Sequence, residues 1–287
     1  MREQRTAYLL LAPTICVLAA LLLYPFFYNV YLSVMNYTVG RESSFIGIDN
    51  YIEVFLDPTF QNALIVTFLF AAVALSVETL LGLLLAILFN RESKLSRAAL
   101  MLLLLPLVMT PVVSAATWKI LYDPVFGFFN SVLRQLSLGT IDFLGNPVLA
   151  LPSLVLIDVW QWTPFMTLVI VAGLKALPKS PMESASVDGA SNAQTLAFVT
   201  LPMLRPYIFV GIVFRLIEVI RVFDIIVATT DGGPGIATQT LNFYAFIMGF
   251  RYFHVSYSAT LAVLLMLVTL VIAQFAFKMA TRASRYE

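Results

Sequence analysis

Residues 183–190 read Glu183-Ser184-Ala185-Ser186-Val187-Asp188-Gly189-Ala190, and the polar segment they open closes on Leu201-Pro202. The segment separates two strongly apolar runs, Leu149–Leu174 before it and Tyr207–Thr229 after it. Any fold that buries those runs together leaves this stretch outside them. Its surroundings therefore decide what kind of protein this is.

The surroundings are apolar almost throughout. Hydrophobic residues make up 60% of the 287 residues and charged residues only 11%, with a mean hydropathy of +0.91. Soluble domains carry roughly 25% charged residues, so this chain lacks the polar side chains to cover itself in water, and lipid is the expected solvent. A net charge of +1 gives no case for nucleic acid. Cys16 and His254 are each the single residue of their type, which excludes a disulfide framework, a Cys/His metal centre and the HExxH pattern. No GxxxxGK[ST] occurs, so the chain has no phosphate-binding loop of its own for ATP.

A bilayer core about 30 Å thick takes about 20 apolar residues in helical form. Six runs are long enough: Tyr8–Val34, Leu64–Phe89, Ala98–Ile120, Leu149–Leu174, Tyr207–Thr229 and Tyr257–Ala280. The first is too long for the apolar core of a signal peptide and no small-residue cleavage site follows it, so it reads as a retained span. Orientation follows from the basic residues. Arg2, Arg5, Arg91, Lys94, Arg97, Lys175, Lys179, Arg205, Lys278, Arg282 and Arg285 fall on one side, against Arg41, Arg134, Arg251 and Lys119 near the other. The expectation is an all-α polytopic membrane protein with six transmembrane helices and both termini cytoplasmic. One transmembrane domain would cover 1–287, with 1–61 holding the first span and outer loop and 62–280 a five-span core. The outer segments Asn36–Asn62 and Leu121–Pro147 read as short amphipathic helices, forming either a cap on the bundle or a docking surface.

The cytoplasmic segment has its own local chemistry. Ser180-Pro181-Met182-Glu183 fits a capping box, with the serine oxygen accepting the Glu183 amide and the carboxylate reaching back. Gly189 suits the left-handed residue that ends a helix. Ser191 and Gln194 fit a second capping box, and Pro202 is expected to end the helix that follows. Two short helices with a bend at Gly189 are marginal alone in water, so they need either their own bundle or another protein to pack on.

The pattern Glu183, Ala185, Gly189, Val199 and Leu201-Pro202 resembles the EAA loop of permease subunits of binding-protein-dependent ABC importers, with Asp188-Gly189-Ala190 fitting its extended form. Ser184 stands where that family usually has alanine. Phe45-Ile46-Gly47 with Asn50-Tyr51, Arg221-Val222-Phe223-Asp224, Gly232-Gly233-Pro234-Gly235 and the run from Thr238 to Tyr244 are similar to the carbohydrate-uptake branch. The resemblance implies a coupling helix, seated in a cleft of a cytoplasmic ATPase, in the loop 180–202 between spans four and five. Met182, Glu183, Ser184, Ala185, Asp188, Gly189, Ala190, Leu201 and Pro202 are the coupling residues it points to. It further implies a second permease subunit in a heterodimer, two ATPase subunits, an extracytoplasmic solute-binding protein and residence in a bacterial or archaeal cytoplasmic membrane. ATP and Mg would sit on the ATPase, leaving this chain without cofactor or catalytic residue. The implied cargo is a sugar, polyol or glycerol phosphate.

Polar residues within the spans are candidates for a solute pathway, because charge at bilayer depth costs about 2.5–3.5 kcal/mol and faces protein or water. Arg215, Glu218, Arg221 and Asp224 recur every third residue, which allows either a self-neutralised ladder along one helix or a pathway lining. Asp158, Trp160, Gln161 and Trp162 precede Pro164, a combination that serves either packing or a sugar-sized cargo, and Glu78 and Ser76 add to it. Trp118 reads as an interfacial anchor, while Pro106 and Pro111 suggest kinks. An ion-coupled secondary transporter is the alternative reading; it would be expected to show repeats with paired broken helices, and none is evident.

Overall fold

A computed structural model describes residues 2–90 and 93–283. Arg91 and Arg285, two of the cations behind the expected orientation, lie outside the described residues. α1 (Arg2–Ser33) leads into a short antiparallel ladder of β1 (Met35–Asn36) and β2 (Ser44–Phe45), with Met35 opposite Phe45. This ladder is a small departure from the all-α expectation, and a turn with Gly40 at φ +84° brings its strands together. Then come α2 (Asp49–Leu56), α3 (Pro58–Phe89), α4 (Lys94–Leu103), α5 (Leu105–Val108), α6 (Pro111–Leu121), α7 (Phe128–Gln135) and α8 (Ala150–Ala176). α9 (Ser180–Val187), α10 (Asn192–Thr195), α11 (Leu201–Val219), α12 (Asp224–Ala228), α13 (Leu241–Phe246) and α14 (Val255–Ala283) complete the described chain. α2 and α7 are the short helices expected in the two outer segments.

Among the described residues, five helical stretches are long and apolar enough to cross a membrane: Leu11–Ser33, Pro58–Phe89, Ala150–Ala176, Asn192–Val219 and Val255–Phe275. A sixth exists if Lys94–Val108 and Pro111–Leu121 are one span, bent by 97°. The expected third span is therefore broken rather than straight. Proline disfavours helical backbone in the residue before it, and Thr110 ahead of Pro111 is extended at ψ 144°. Gln161 of α8 donates from Nε2 to the Met109 carbonyl at 3.0 Å, repairing one acceptor that the break leaves open.

The expected fifth span is also redrawn. It starts earlier, at Asn192, because Pro202 does not stop the helix. A single π turn at Leu196–Thr200, closed by the Leu201 amide on the Leu196 carbonyl, carries the chain past the proline. It ends earlier too, at Val219, so Arg221 falls in a turn and Asp224 opens a separate helix.

By contact density the chain forms two units, one built from the chain up to Gln61 with Tyr244–Val268, the other from Asn62–Phe243 with the chain from Thr269 on. In the first, Asn50 is buried and donates to the carbonyls of Ser33 and Met35 at 2.9 and 2.7 Å, fixing α2 against the end of α1. Asp57 does the same for α3. Its Oδ1 accepts the Thr59 amide at 2.8 Å as an N-cap with Pro58 at the first helical position, and its Oδ2 accepts the hydroxyls of Tyr244 and Tyr257. Burial pushes the Asp57 carboxyl up, but the two phenols and the Thr59 amide outweigh it and hold the group below the usual carboxylate range.

A depressed carboxylate contributes stability above its unfolded value, and that contribution is lost as pH falls through the folded one. Asp57→Asn keeps an oxygen for the Thr59 amide, since asparagine caps as well as aspartate, but loses the charge to which Tyr244 and Tyr257 donate. It is thus expected to melt below wild type at neutral pH by about 1 kcal/mol, the margin of a charged over a neutral acceptor. The difference should shrink below about pH 4, where the free carboxyl protonates. Thermal unfolding of both proteins from neutral to acid pH checks this; a difference that stays constant with pH would refute it.

In the second unit, Leu204, Ile170, Val171, Ala86 and Leu177 form a buried apolar cluster where α3, α8 and α11 meet. Gly82 makes the approach of α3 to α8 possible: a Cβ there would lie 2.8 Å from the Met166 Cβ and 3.2 Å from the Thr167 amide. Trp118, expected at the interface, is buried instead. It stacks on Phe129 at 5.7 Å and meets Trp160 edge-on at 5.6 Å, because α7 folds back over the end of α6.

Candidate functional site

Two places in the second unit collect the residues singled out from the sequence. The first is the polar segment. α9 begins at Ser180 with Lys179 as its cap residue, and no side chain caps it, so the expected Ser180–Glu183 box does not form. The amides of Met182 and Glu183 take the Lys179 carbonyl, 3.0 Å each, and the Glu183 carboxylate is left exposed. Gly189 stops the helix at φ +81° as expected. The Ala190 amide bonds the Ala185 carbonyl at 2.9 Å and the Gly189 amide bonds that of Ser186 at 3.2 Å, the paired closure of a Schellman turn. The Ser191–Gln194 capping box is present, with the serine amide donating to Gln194 Oε1 at 2.8 Å.

Met182 packs onto the apolar cluster of the second unit and seats one face of α9. The other face is open. Val187 is 88% exposed and Phe198 77% exposed. Phe198 lines a shallow groove together with Asp188, Gly189, Ala190, Gln194 and Val199, and Val187 is the residue before Asp188. Ser184 is exposed and Ala185 half-buried on α9, while Leu201 and Pro202 begin α11 immediately beyond the π turn. The segment thus has one face seated on the bundle and another exposed.

The second place lies within the apolar spans. Arg215 of α11 reaches Glu78 of α3 through two bonds, Nε to Oε2 at 2.9 Å and Nη2 to Oε1 at 3.1 Å, and its Nη2 also bonds Asp158 Oδ2 of α8. Its guanidinium lies 4.6 Å from the Trp162 ring centroid, a cation–π contact. All three charged side chains are buried. Arg215 therefore belongs to no ladder along its own helix. Of that ladder only Glu218–Arg221 forms among the described residues, at 3.4 Å with both side chains about half exposed. Charges within apolar spans, at Arg215, Glu78 and Asp158, were the available signal for the cluster; that the three pair with one another across helices leaves no mark in the local pattern.

Asp158, Trp162, Arg215, Glu218, Arg221 and Asp224 line a cleft of about 90 Å³. Ligand pockets span about 300–1,000 Å³, so this cleft by itself is too small to enclose a sugar. Gln161 Oε1, Ser114 Oγ, Thr163 Oγ1 and Thr79 Oγ1 are buried without a partner among the described residues, and none of these four residues lines the cleft. Trp160 points away to Trp118, so the tryptophan pair divides between packing and the cleft. Ser76 is exposed and bonded back to the Ala72 carbonyl, away from the cluster. Among the described residues no group of three or more His, Cys, Asp or Glu has a metal-holding arrangement.

Comparison with known proteins places this geometry. The trehalose/maltose transport system permease protein MalF of Thermococcus litoralis is 36% identical over 246 residues, covering 85% of this chain and 83% of that protein. The sn-glycerol-3-phosphate transport system permease protein UgpA of Yersinia pestis is 31% identical over 282 residues, covering 98% and 95%. Among solved structures, a chain of a bacterial alginate ABC transporter in complex with alginate pentasaccharide-bound periplasmic protein superposes with a TM-score of 0.86. It covers 98% of this chain and 96% of its own length at 24% identity, a likeness of fold. Residues 78–285 match the family described as "Binding-protein-dependent transport system inner membrane component". With that match covering most of the chain, and with five to six apolar spans, the chain is a multi-pass membrane protein of the binding-protein-dependent transport system inner membrane component family.

Proposed function

We propose that this permease subunit carries a sugar or a related polyhydroxy solute inward across a bacterial or archaeal cytoplasmic membrane. A cytoplasmic ATPase drives it through the segment 180–202, and both termini face the cytoplasm. The observation that carries the reading is the exposure of Val187 and of Phe198, the latter lining the groove beside Gly189. Apolar side chains this open, on helices too short to be stable alone, fit a surface that a partner covers. The partners are two ATPase subunits, which hold ATP and Mg, a second permease subunit and an extracytoplasmic solute-binding protein. The names of the relatives support the cargo class and the binding-protein partner.

Asp158, Trp162, Arg215, Glu218, Arg221 and Asp224 form one wall of the solute pathway, with Glu78 behind it. Acceptors and donors beside a flat ring suit hydroxyls and C–H faces of a sugar, and the small size of the cleft fits a wall that the second permease completes. Trp160 and Gln161 serve the fold, one in the aromatic cluster and one at the break before Pro111. In vesicles holding the complete assembly, uptake of trehalose, maltose or glycerol 3-phosphate is expected to require internal ATP and to persist when ion gradients are collapsed. Uptake that follows the ion gradient and ignores ATP would overturn the reading.

A further inference from the structure

Between α9 and the ends of α3 and α8, the second unit holds a crevice of about 700 Å³. That volume falls within the range of about 300–1,000 Å³ that ligand pockets span. Its polar lining is Asn90 just after α3, Lys175 in the last turn of α8, Lys179 at the start of α9, and Glu183 and Ser186 along α9. Leu174, Leu177 and Met182 line it too, and all three belong to the apolar cluster or pack against it. The crevice shares no residue with the groove at Gly189 and Phe198.

Its charges are unspent. Lys175, Lys179 and Glu183 are exposed, and among the described residues none of the three forms an ion pair. Two ammonium groups against one carboxylate leave the crevice with a net charge of +1. Lys175 has a structural reason for its place, since a cation in the last turn complements the dipole of α8. Lys179 has the opposite relation to α9, whose first turn disfavours a cation. The position in the membrane adds to this. α3 and α8 are span-length apolar helices, so residues at their ends lie at the level of lipid headgroups. Leu81, Leu84 and Leu88 form an exposed apolar stripe along α3 that stops two residues before Asn90, a surface suited to acyl chains.

We propose that this crevice binds the headgroup of an anionic phospholipid, with Lys175 and Lys179 holding its phosphate. Basic pockets between spans take such headgroups, and charge decides the class. A headgroup of one negative charge neutralises the crevice, whereas a zwitterionic one leaves the excess cation in place. The Ser186 hydroxyl donates to the Met182 carbonyl at 3.0 Å and keeps its oxygen as an acceptor, and the Asn90 amide is a donor. Both suit the hydroxyls of a glycerol headgroup. The bound lipid ties α9 to the ends of two spans. The site rests on the spans of the proposed function and on neither its ATPase nor its cargo, so lipid binding stands or falls apart from transport.

Native mass spectrometry of the complete transporter, titrated with phosphatidylglycerol or phosphatidylcholine of equal chain length, tests it. Each lysine beside an anionic headgroup is worth about fivefold in affinity. Lys175→Gln combined with Lys179→Gln should therefore weaken one phosphatidylglycerol-binding event by about 25-fold and leave phosphatidylcholine binding unchanged. Glu183→Gln removes the opposing charge and should tighten the same event. Subunit stoichiometry in the same spectra reports that each variant assembles. Inorganic phosphate at millimolar concentration should not displace the lipid. Equal phosphatidylglycerol affinity in wild type and double variant, the same lysine dependence for phosphatidylcholine, weaker binding by Glu183→Gln, or displacement by inorganic phosphate would each overturn the proposal.

Discussion

Arg215→Ala should be the most damaging single substitution in the second unit. It strands the Glu78 and Asp158 carboxyls in an apolar interior without their cation and removes the side chain that ties α3, α8 and α11. Removing one partner of a buried ion pair costs about 3–5 kcal/mol, enough to take most of the folded protein from a marginally stable chain. The expected result is a steep fall in the monodisperse fraction recovered from membranes, with a lowered melting temperature for what remains. Arg215→Lys should be milder but not silent, because an ammonium keeps the charge and loses the two-pronged geometry. Arg215→Met combined with Glu78→Gln and Asp158→Asn should recover most of the yield, since it leaves no uncompensated charge. A single Arg215→Ala variant as stable as wild type would mean that the cluster is not the tie described.

The second large effect is functional. Gly189→Val should abolish ATP-driven uptake while leaving membrane insertion intact. The position has open space around it but sits at φ +81°, so the backbone and not crowding forbids the side chain. A β-branched residue there is a steric outlier, and holding such a conformation costs about 1–3 kcal/mol. A helix of two turns does not absorb that, so the Schellman closure by the Ala190 amide opens and the groove that Gly189 and Phe198 line loses its shape. Gly189→Asn is the discriminating control, because asparagine visits the left-handed region; it should keep most of the coupling. Uptake and ATPase rate measured together decide the matter. Normal uptake by Gly189→Val would remove the coupling role from this loop, and loss by Gly189→Asn equal to that by Gly189→Val would place the effect elsewhere than in backbone conformation.

These two positions also mark how far the sequence can be read. Gly189 and the Ser191–Gln194 box act through hydrogen bonds spanning a few residues, so their geometry is legible in the local sequence alone. Pro111 breaks its helix for the same local reason. The local rules err where a neighbouring turn supplies a way out. Lys179 displaces Ser180 as the cap of α9, and the π turn at Leu196–Thr200 lets the helix run through Pro202. Trp118 resembles an anchor because its sequence neighbourhood lies at a span end; α7, folding back, buries it.

By itself the sequence determined four of the apolar spans, the polar segment after the fourth, and the glycine bend within that segment, because each follows from composition or from backbone geometry over one or two turns. Only the tertiary structure decided what Arg215 does. Its partners lie 137 and 57 residues away in the chain, and the every-third-residue pattern suggested a nearer pairing that the fold does not use. A buried charge takes whichever opposite charge the packing of helices brings within reach, and that packing depends on close approaches such as Gly82 against Met166. Periodicity along one helix carries no record of them.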